Sequence, residues 1–423
     1  MVHDRLDSAS KPPSHQWRAD MFRALRHRNF QLFMAGQMIS LIGSWMQTLA
    51  QSWLVYRLTQ SAALLGEVGF VTQIPVLFLS PVAGIVADRH SRRRLVITTQ
   101  TVMMIQALTL AVLTLAQWIQ VWEIFVLAFV LGLCNAFDIP ARQSFLVEMV
   151  GGDDLMNAIA LNSSVFNSAR IVGPAIAGIL VASVGEGTCF LINGLSFAAV
   201  IGGLLLMKVP AARRTQRGAG KLDQFREGIR YVHGNVAIRS LLTLLGAMSL
   251  TGMSYTVLMP IFADRVLHSG PRGMGMLMTS TGLGALAAAL WLARRRRVQG
   301  LDRIVALACA GFGASLISFA LSRTFWLSLA LLVPTGLCVM AQLAATNTLI
   351  QSIVSNDVRG RVMGIYSSMF LGMAPFGSLI AGYLAQRYSA PAAVLFFGVV
   401  SITSAAVFAS GLRRIRIDDH LKN

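Results

Sequence analysis

Residues 84–94 read GIVADRHSRRR. Gly84 to Ala87 close a long hydrophobic run, and one acid and four arginines then crowd into seven residues: Asp88, Arg89, Arg92, Arg93 and Arg94. Charge that begins so abruptly suits a nucleic-acid patch, a solvated turn or the edge of a membrane span. Composition chooses among them. Of 423 residues, 55% are hydrophobic and 13% charged, with a mean hydropathy of +0.63; a soluble domain carries about 25% charged residues. So few charges cannot cover so much apolar surface in water, and the chain reads as an all-α polytopic membrane protein. The formal charge of +18 does not imply nucleic acid. The basic residues lie in short clusters between apolar runs, not on one polar surface.

Apolar runs long enough for a helix of ~20 residues to cross a bilayer recur along the whole chain. They fall near 31–57, 62–87, 95–117, 121–143, 157–183, 187–208, 236–263, 273–293, 303–322, 325–350, 362–386 and 391–412. Twelve spans put both termini on one side. Of the 36 Lys and Arg residues, 30 fall on that side and five on the other. Basic loops mark the cytoplasm, so both termini are expected there, and GIVADRHSRRR becomes the cytoplasmic turn between spans two and three. The first 20 residues are polar, so no cleavable signal peptide is expected. Cys134, Cys189, Cys309 and Cys338 all fall in apolar runs, and the histidines lack ligand spacing. Neither a disulfide framework nor a metal site is expected.

The chain repeats itself. LNSSVFNSARIVGPAIAGILV (161–181) and IYSSMFLGMAPFGSLIAGYLA (365–385) share Ser163/Ser367, Ser164/Ser368, Phe166/Phe370, Gly173/Gly377, Ala177/Ala381 and Gly178/Gly382 at an offset of 204. The same offset carries Arg92 and Arg93 onto Arg296 and Arg297. The expected layout is a cytoplasmic segment 1–30, a six-helix bundle 31–208, a basic connector 209–235, a second bundle 236–412 and a tail 413–423. In the connector, Leu222, Phe225, Ile229 and Val232 recur at helical spacing, which predicts a short helix lying on the inner leaflet.

Two six-helix halves, a basic central loop and this turn resemble the major facilitator superfamily over nearly the whole chain. The signature G-x-x-A-D-R-x-x-R-R is met by Gly84, Ala87, Asp88, Arg89, Arg92 and Arg93, with Ser91 in place of the usual second glycine. Residues 135–178, NAFDIPARQSFLVEMVGGDDLMNAIALNSSVFNSARIVGPAIAG, resemble the bacterial branch that holds the enterobactin exporter and macrolide efflux pumps. Drug–proton antiporters carry G-x8-G-x3-G-P-x2-G-G in span five; here those slots read Ala160, Ala169, Gly173, Pro174, Ala177 and Gly178. Small residues there allow close helix approach. The R-x2-Q-G of span four is missing, since Ala128 and Leu131 stand in its slots. The resemblance implies a cytoplasmic gate built from Asp88, Arg89, Arg92, Arg93, Asp138, Arg142 and Arg361.

Ionisable groups at membrane depth cost about 3 kcal/mol on insertion scales and are functional candidates by default. The first half has three: Glu67, Asp138 and Arg170. Arg170 needs a counter-charge, so exchange of its pairing between Glu67 and Asp138 is expected to couple proton movement to conformation, with Glu67 as the carrier. Gln37, Ser40, Ser44, Gln47 and Gln51 share one face of span one, a seam expected to face an aqueous cavity. The superfamily arrangement adds Asn135, Ser254, Tyr255, Gln342 and Asn347 to that lining. No phosphate-binding loop is complete: Thr215 and Leu222 occupy slots that need Gly and Ser/Thr. No nucleophile–base pair stands out either. The expectation is a cofactor-free, monomeric secondary transporter of the bacterial inner membrane, exporting an amphipathic small molecule on the proton gradient. A nutrient or iron-chelate importer and a non-transporting receptor or scaffold are the rivals.

Overall fold

A computed structural model describes residues 22–207, 221–252, 254–295 and 299–421. Arg296 and Arg297 lie outside the described residues, as do most of segment 1–30, the first part of the connector, and the side chains of Asp88 and the 413–423 tail. Every regular element described is helical. The expected spans one to six take the form of helices Arg28–Thr59, Ala62–Arg89, Arg92–Leu115, Val121–Val150, Leu155–Val184 and Glu186–Leu206. Spans eight to twelve are Gly270–Ala293, Leu301–Leu321, Phe325–Ile353, Asn356–Arg387 and Ala390–Leu421.

The opening stretch resolves into the end of span two, a turn at His90–Ser91 and the start of span three. The His90 N–H closes the first helix on Val86 O, and Ser91 Oγ accepts from Arg94 N as the N-cap of the second. A serine cap satisfies an orphan donor of the first turn, which accounts for serine in the signature's glycine slot.

Span seven departs from expectation. Helices Val236–Gly252 and Ser254–Val257 flank Met253, which lies outside the described residues, and the helix expected over 236–263 breaks at Leu258, after which come Met259–Ile261 and a π-turn Phe262–Val266. Pro260 has no N–H for Thr256, and its ring crowds the preceding turn. Span four also differs, continuing through Pro140 to Val150, well past the expected end at 143.

Eleven helices among the described residues are long and apolar enough to cross a membrane. Span one is not among them, although it is 32 residues long. Its seam explains this: Gln37, Ser40, Gln47 and Gln51 are buried within the bundle, which lowers hydropathy without exposing polar groups to lipid.

The 204-residue repeat is present in the packing. In the first half spans pair one with five, one with six, two with four, three with four and three with six. In the second, seven pairs with eleven, seven with twelve, eight with ten, nine with ten and nine with twelve. The halves join through spans two and eleven and through spans five and eight. Glycines set both contacts. A Cβ on Gly178 would lie 3.0 Å from Gly275 Cα, and one on Gly382 would lie 2.9 Å from Gly66 Cα. Gly178 and Gly382 are repeat mates, 204 apart.

These contacts lie at the far end of the bundle, which carries the end of span one and the start of span two. Close approaches continue to half height, where Gly372 meets Leu77 and Gly282 meets Ile171. Nearer the other end, Gly84, Gly360 and Gly364 have open space where a Cβ would stand. The halves meet at the far end and at half height.

Candidate functional site

Among the described residues, hydrogen bonds join the halves at the far end and at half height. At the far end the Tyr56 hydroxyl donates to Asp264 Oδ2 at 2.9 Å, Arg265 donates to Gln60 Oε1 at 3.0 Å, and Ala62 N donates to Gln386 Oε1 at 2.9 Å. Arg265 also stacks over the Tyr56 ring. Slightly deeper, the Tyr383 hydroxyl donates to Glu67 Oε1 at 2.8 Å. At half height Thr279 Oγ1 donates to Ile171 O at 3.2 Å. None of the far-end residues except Glu67 stood out in the sequence, because a tyrosine, an aspartate and an arginine at loop ends read as surface.

The near-end charges are spent within each half. Arg92 pairs with Glu148 at the end of span four. Arg93 donates to Leu204 O at 2.7 Å and Leu205 O at 3.0 Å, capping span six. Arg142 Nε meets Asp138 Oδ2 at 3.1 Å. Arg361 pairs with Glu227 of the connector helix Lys221–Gly234. Arg89 is exposed. Arg92 thus meets Glu148 and Arg142 meets Asp138, while the side chain of Asp88, expected to join them, lies outside the described residues. Glu148 was invisible to sequence reasoning because an acid near a helix end is ordinarily a solvated one. The connector helix packs on span eleven: Gly228 lies against Arg361 and Ile365, and Val232 is buried.

The polar seam faces inward, but not toward the gap between the halves. Gln47 Nε2 donates to Gln106 Oε1 at 3.1 Å, and Asn193 Nδ2 donates to Gln47 Oε1 at 2.6 Å. Ser196 donates to Asn193 Oδ1 at 3.2 Å. The seam thus ties span one to spans three and six, with Gly43 fitting against Asn193 and Ser196. Of the other expected lining residues, Ser254, Tyr255 and Gln342 are also buried, whereas Ser44, Asn135 and Asn347 are half-buried. Gln342 Nε2 donates to Thr346 on its own helix at 3.2 Å, and Asn347 accepts from Gln351. The span-five motif does pack closely: Gly173 sits on Ile42 and Trp45 of span one, and Pro174 O touches Gly275. Ala169 and Ala177 are buried. Ala160 is exposed.

Neither acid reaches Arg170. Asp138 is 1% exposed and accepts at Oδ1 from Thr99 Oγ1 at 2.9 Å and from Gln100 Nε2 at 3.1 Å, besides its pair with Arg142. Glu67 is held by Tyr383. The Arg170 guanidinium instead lies over the Trp45 ring, 5.9 Å from its centroid, and the Phe166 ring stands edge-on to Trp45 at 5.9 Å. Tyr255 of span seven is buried and stands edge-on to the Phe312 ring at 6.1 Å. Arg170, Trp45 and Thr281 all sit within about two residues of the midpoints of their helices. Transporters of this architecture bind at that depth.

The chain matches known proteins along its length. Residues 19–420 fit the family model described as transmembrane secretion effector. The staphyloferrin A transporter of Staphylococcus aureus is 27% identical over 389 residues, covering 91% of this chain and 96% of its own. The multidrug efflux pump Tap of Mycolicibacterium fortuitum is 26% identical over 385 residues, 88% of this chain and 93% of its own. Among solved structures, a bacterial homologue of the human lysosomal transporter Spinster, in an inward-facing and unoccupied conformation, superposes with a TM-score of 0.71. It is 14% identical and covers 92% of this chain and 97% of its own.

Proposed function

The chain belongs to the transmembrane secretion effector family of the major facilitator superfamily, a multi-pass transporter of the bacterial inner membrane, and from that premise we propose that it exports an amphipathic small molecule in exchange for protons. The observation that carries the reading is the aromatic and cationic cluster at half height, beneath the contacts that close the far end. The near end holds the basic turn 88–94, the basic connector and the start of span one, so the positive-inside rule makes it cytoplasmic. On this assignment span one is the twelfth crossing, and the cluster loads from the cytoplasm. The relative named for multidrug efflux supports export, and the one named for staphyloferrin A transport supports a small-molecule substrate. The small-residue motif around Gly173 and Pro174 supports the same direction.

Glu67 is the proposed coupling group. It sits at the contact between spans two and eleven that must open when the far end opens, so its protonation and that opening depend on one another. Asp138, bonded on both oxygens, holds spans three and four together. Uptake of a compound panel into inverted vesicles tests the reading. Accumulation that needs an imposed proton gradient is expected, and accumulation of no compound under any ion gradient would leave a non-transporting membrane protein.

A further inference from the structure

Arg170 is a cation at the middle of a span, and among the described residues no carboxylate pairs with it. The two acids at that depth in its own half are committed elsewhere, Asp138 to Arg142, Thr99 and Gln100, and Glu67 to Tyr383. An aromatic face attracts a guanidinium but leaves its charge unneutralised and its N–H fork unfilled. Phe166, against the same Trp45, is 45% exposed, and Gly282 and Thr279 of span eight pack on the backbone of Arg170 and Ile171, which sets the cluster beside the seam between the halves. A planar fork beside two rings matches one kind of ligand: a carboxylate or similar planar anion carried on an apolar or aromatic body.

We infer that Arg170, Trp45 and Phe166 form the recognition site for an amphipathic anion, its charged group on the Arg170 guanidinium and its apolar body against the two rings. This deepens the export reading and rests on it for the direction of travel. It also gives Arg170 a role other than proton exchange with Glu67 or Asp138. A bound anion supplies the counter-charge that the fold withholds. A cationic amphiphile of the same shape meets a like charge in a low-dielectric gap and is rejected.

Equilibrium binding to the purified full-length protein in nanodiscs tests this with three matched probes: 2-naphthoate, 2-naphthylmethylammonium and neutral 2-naphthalenemethanol. Empty nanodiscs provide the partition background. The unaltered protein is expected to bind 2-naphthoate at least tenfold more tightly than the ammonium. Arg170→Met should erase that preference while leaving 2-naphthalenemethanol within about threefold, and Arg170→Lys should restore part of it. Equal affinity for anion and cation, no saturable 2-naphthoate binding, or a preference that survives in Arg170→Met would each overturn the site. The unaltered protein's ratio needs no variant to fold. Proton-driven uptake in inverted vesicles is read separately. Anion selectivity in nanodiscs with no gradient-driven accumulation supports the site and refutes export, whereas accumulation of cations alone overturns the site and keeps export.

Discussion

Gln47 and Gln37 belong to one stripe, yet their surroundings differ. Gln47 has both ends of its amide engaged, by Gln106 and Asn193, whereas the buried Gln37 Oε1 has no hydrogen-bond partner. A buried amide left unpaired costs about 1–3 kcal/mol. Gln47→Leu therefore orphans groups on two other helices. It should lower the thermal midpoint of the purified protein by several degrees while leaving the ranking of transported compounds unchanged. An altered ranking at unchanged stability would return the seam to the substrate path. Glu67 calls for the opposite kind of substitution. Glu67→Gln keeps an oxygen for the Tyr383 hydroxyl and so keeps the contact between spans two and eleven, but it cannot carry a proton. Uphill export in inverted vesicles should be lost, and downhill exchange of a preloaded compound should persist. Uphill export with unaltered pH dependence would make Glu67 structural.

At the scale of elements, two helix pairs hold the far end shut, and each closes on a glycine. On Gly382 a methyl group would lie 2.7 Å from the Ala62 carbonyl oxygen as well as 2.9 Å from Gly66 Cα. Both obstacles are backbone, so neither can swing aside. Gly382→Val is expected to force spans two and eleven apart at the far end. Ser378, fully buried against Gly66 and Gly69, offers the reporter. Ser378→Cys should react with an impermeant maleimide added outside at least tenfold faster in the Gly382→Val background than alone. Equal rates would mean that the pair does not set the closure. The repeat was readable at this scale because small residues recur at a fixed offset. The partner of each glycine was not, because nothing local distinguishes a glycine facing span one, as Gly173 does, from one facing the other half, as Gly178 does.

Across the whole molecule, transport requires the far-end contacts to break while the near end closes. Tyr56, Asp264, Arg265 and Gln60 link the two halves directly at that end. Locking them should therefore stop the cycle without damaging the site. With Cys134, Cys189, Cys309 and Cys338 replaced, a short thiol cross-linker between Gln60→Cys and Arg265→Cys should abolish export. Binding of a probe from the cytoplasmic side should be retained, and a reducible linker should restore export on cleavage. Full export by a completely cross-linked protein would show that this end does not open.

Hydropathy, charge placement and self-similarity determined the membrane class, the spans, their expected orientation and the two related halves. Each of these follows from local composition, because a bilayer penalises every polar residue it meets in the same way. Sequence also singled out Glu67, Asp138, Arg170 and the stripe through Gln47 as groups needing partners at depth. Tertiary structure alone decided who those partners are. Arg170 rests on Trp45 and not on an acid, Asp138 is closed off by Thr99, Gln100 and Arg142, Arg92 finds Glu148, and the stripe turns to spans three and six. A hydrogen bond or a stacked ring is satisfied within a few ångströms, and which side chains come that near depends on how each helix is rotated about its axis. That rotation is set by packing against several neighbours at once, a condition that no single stretch of sequence records.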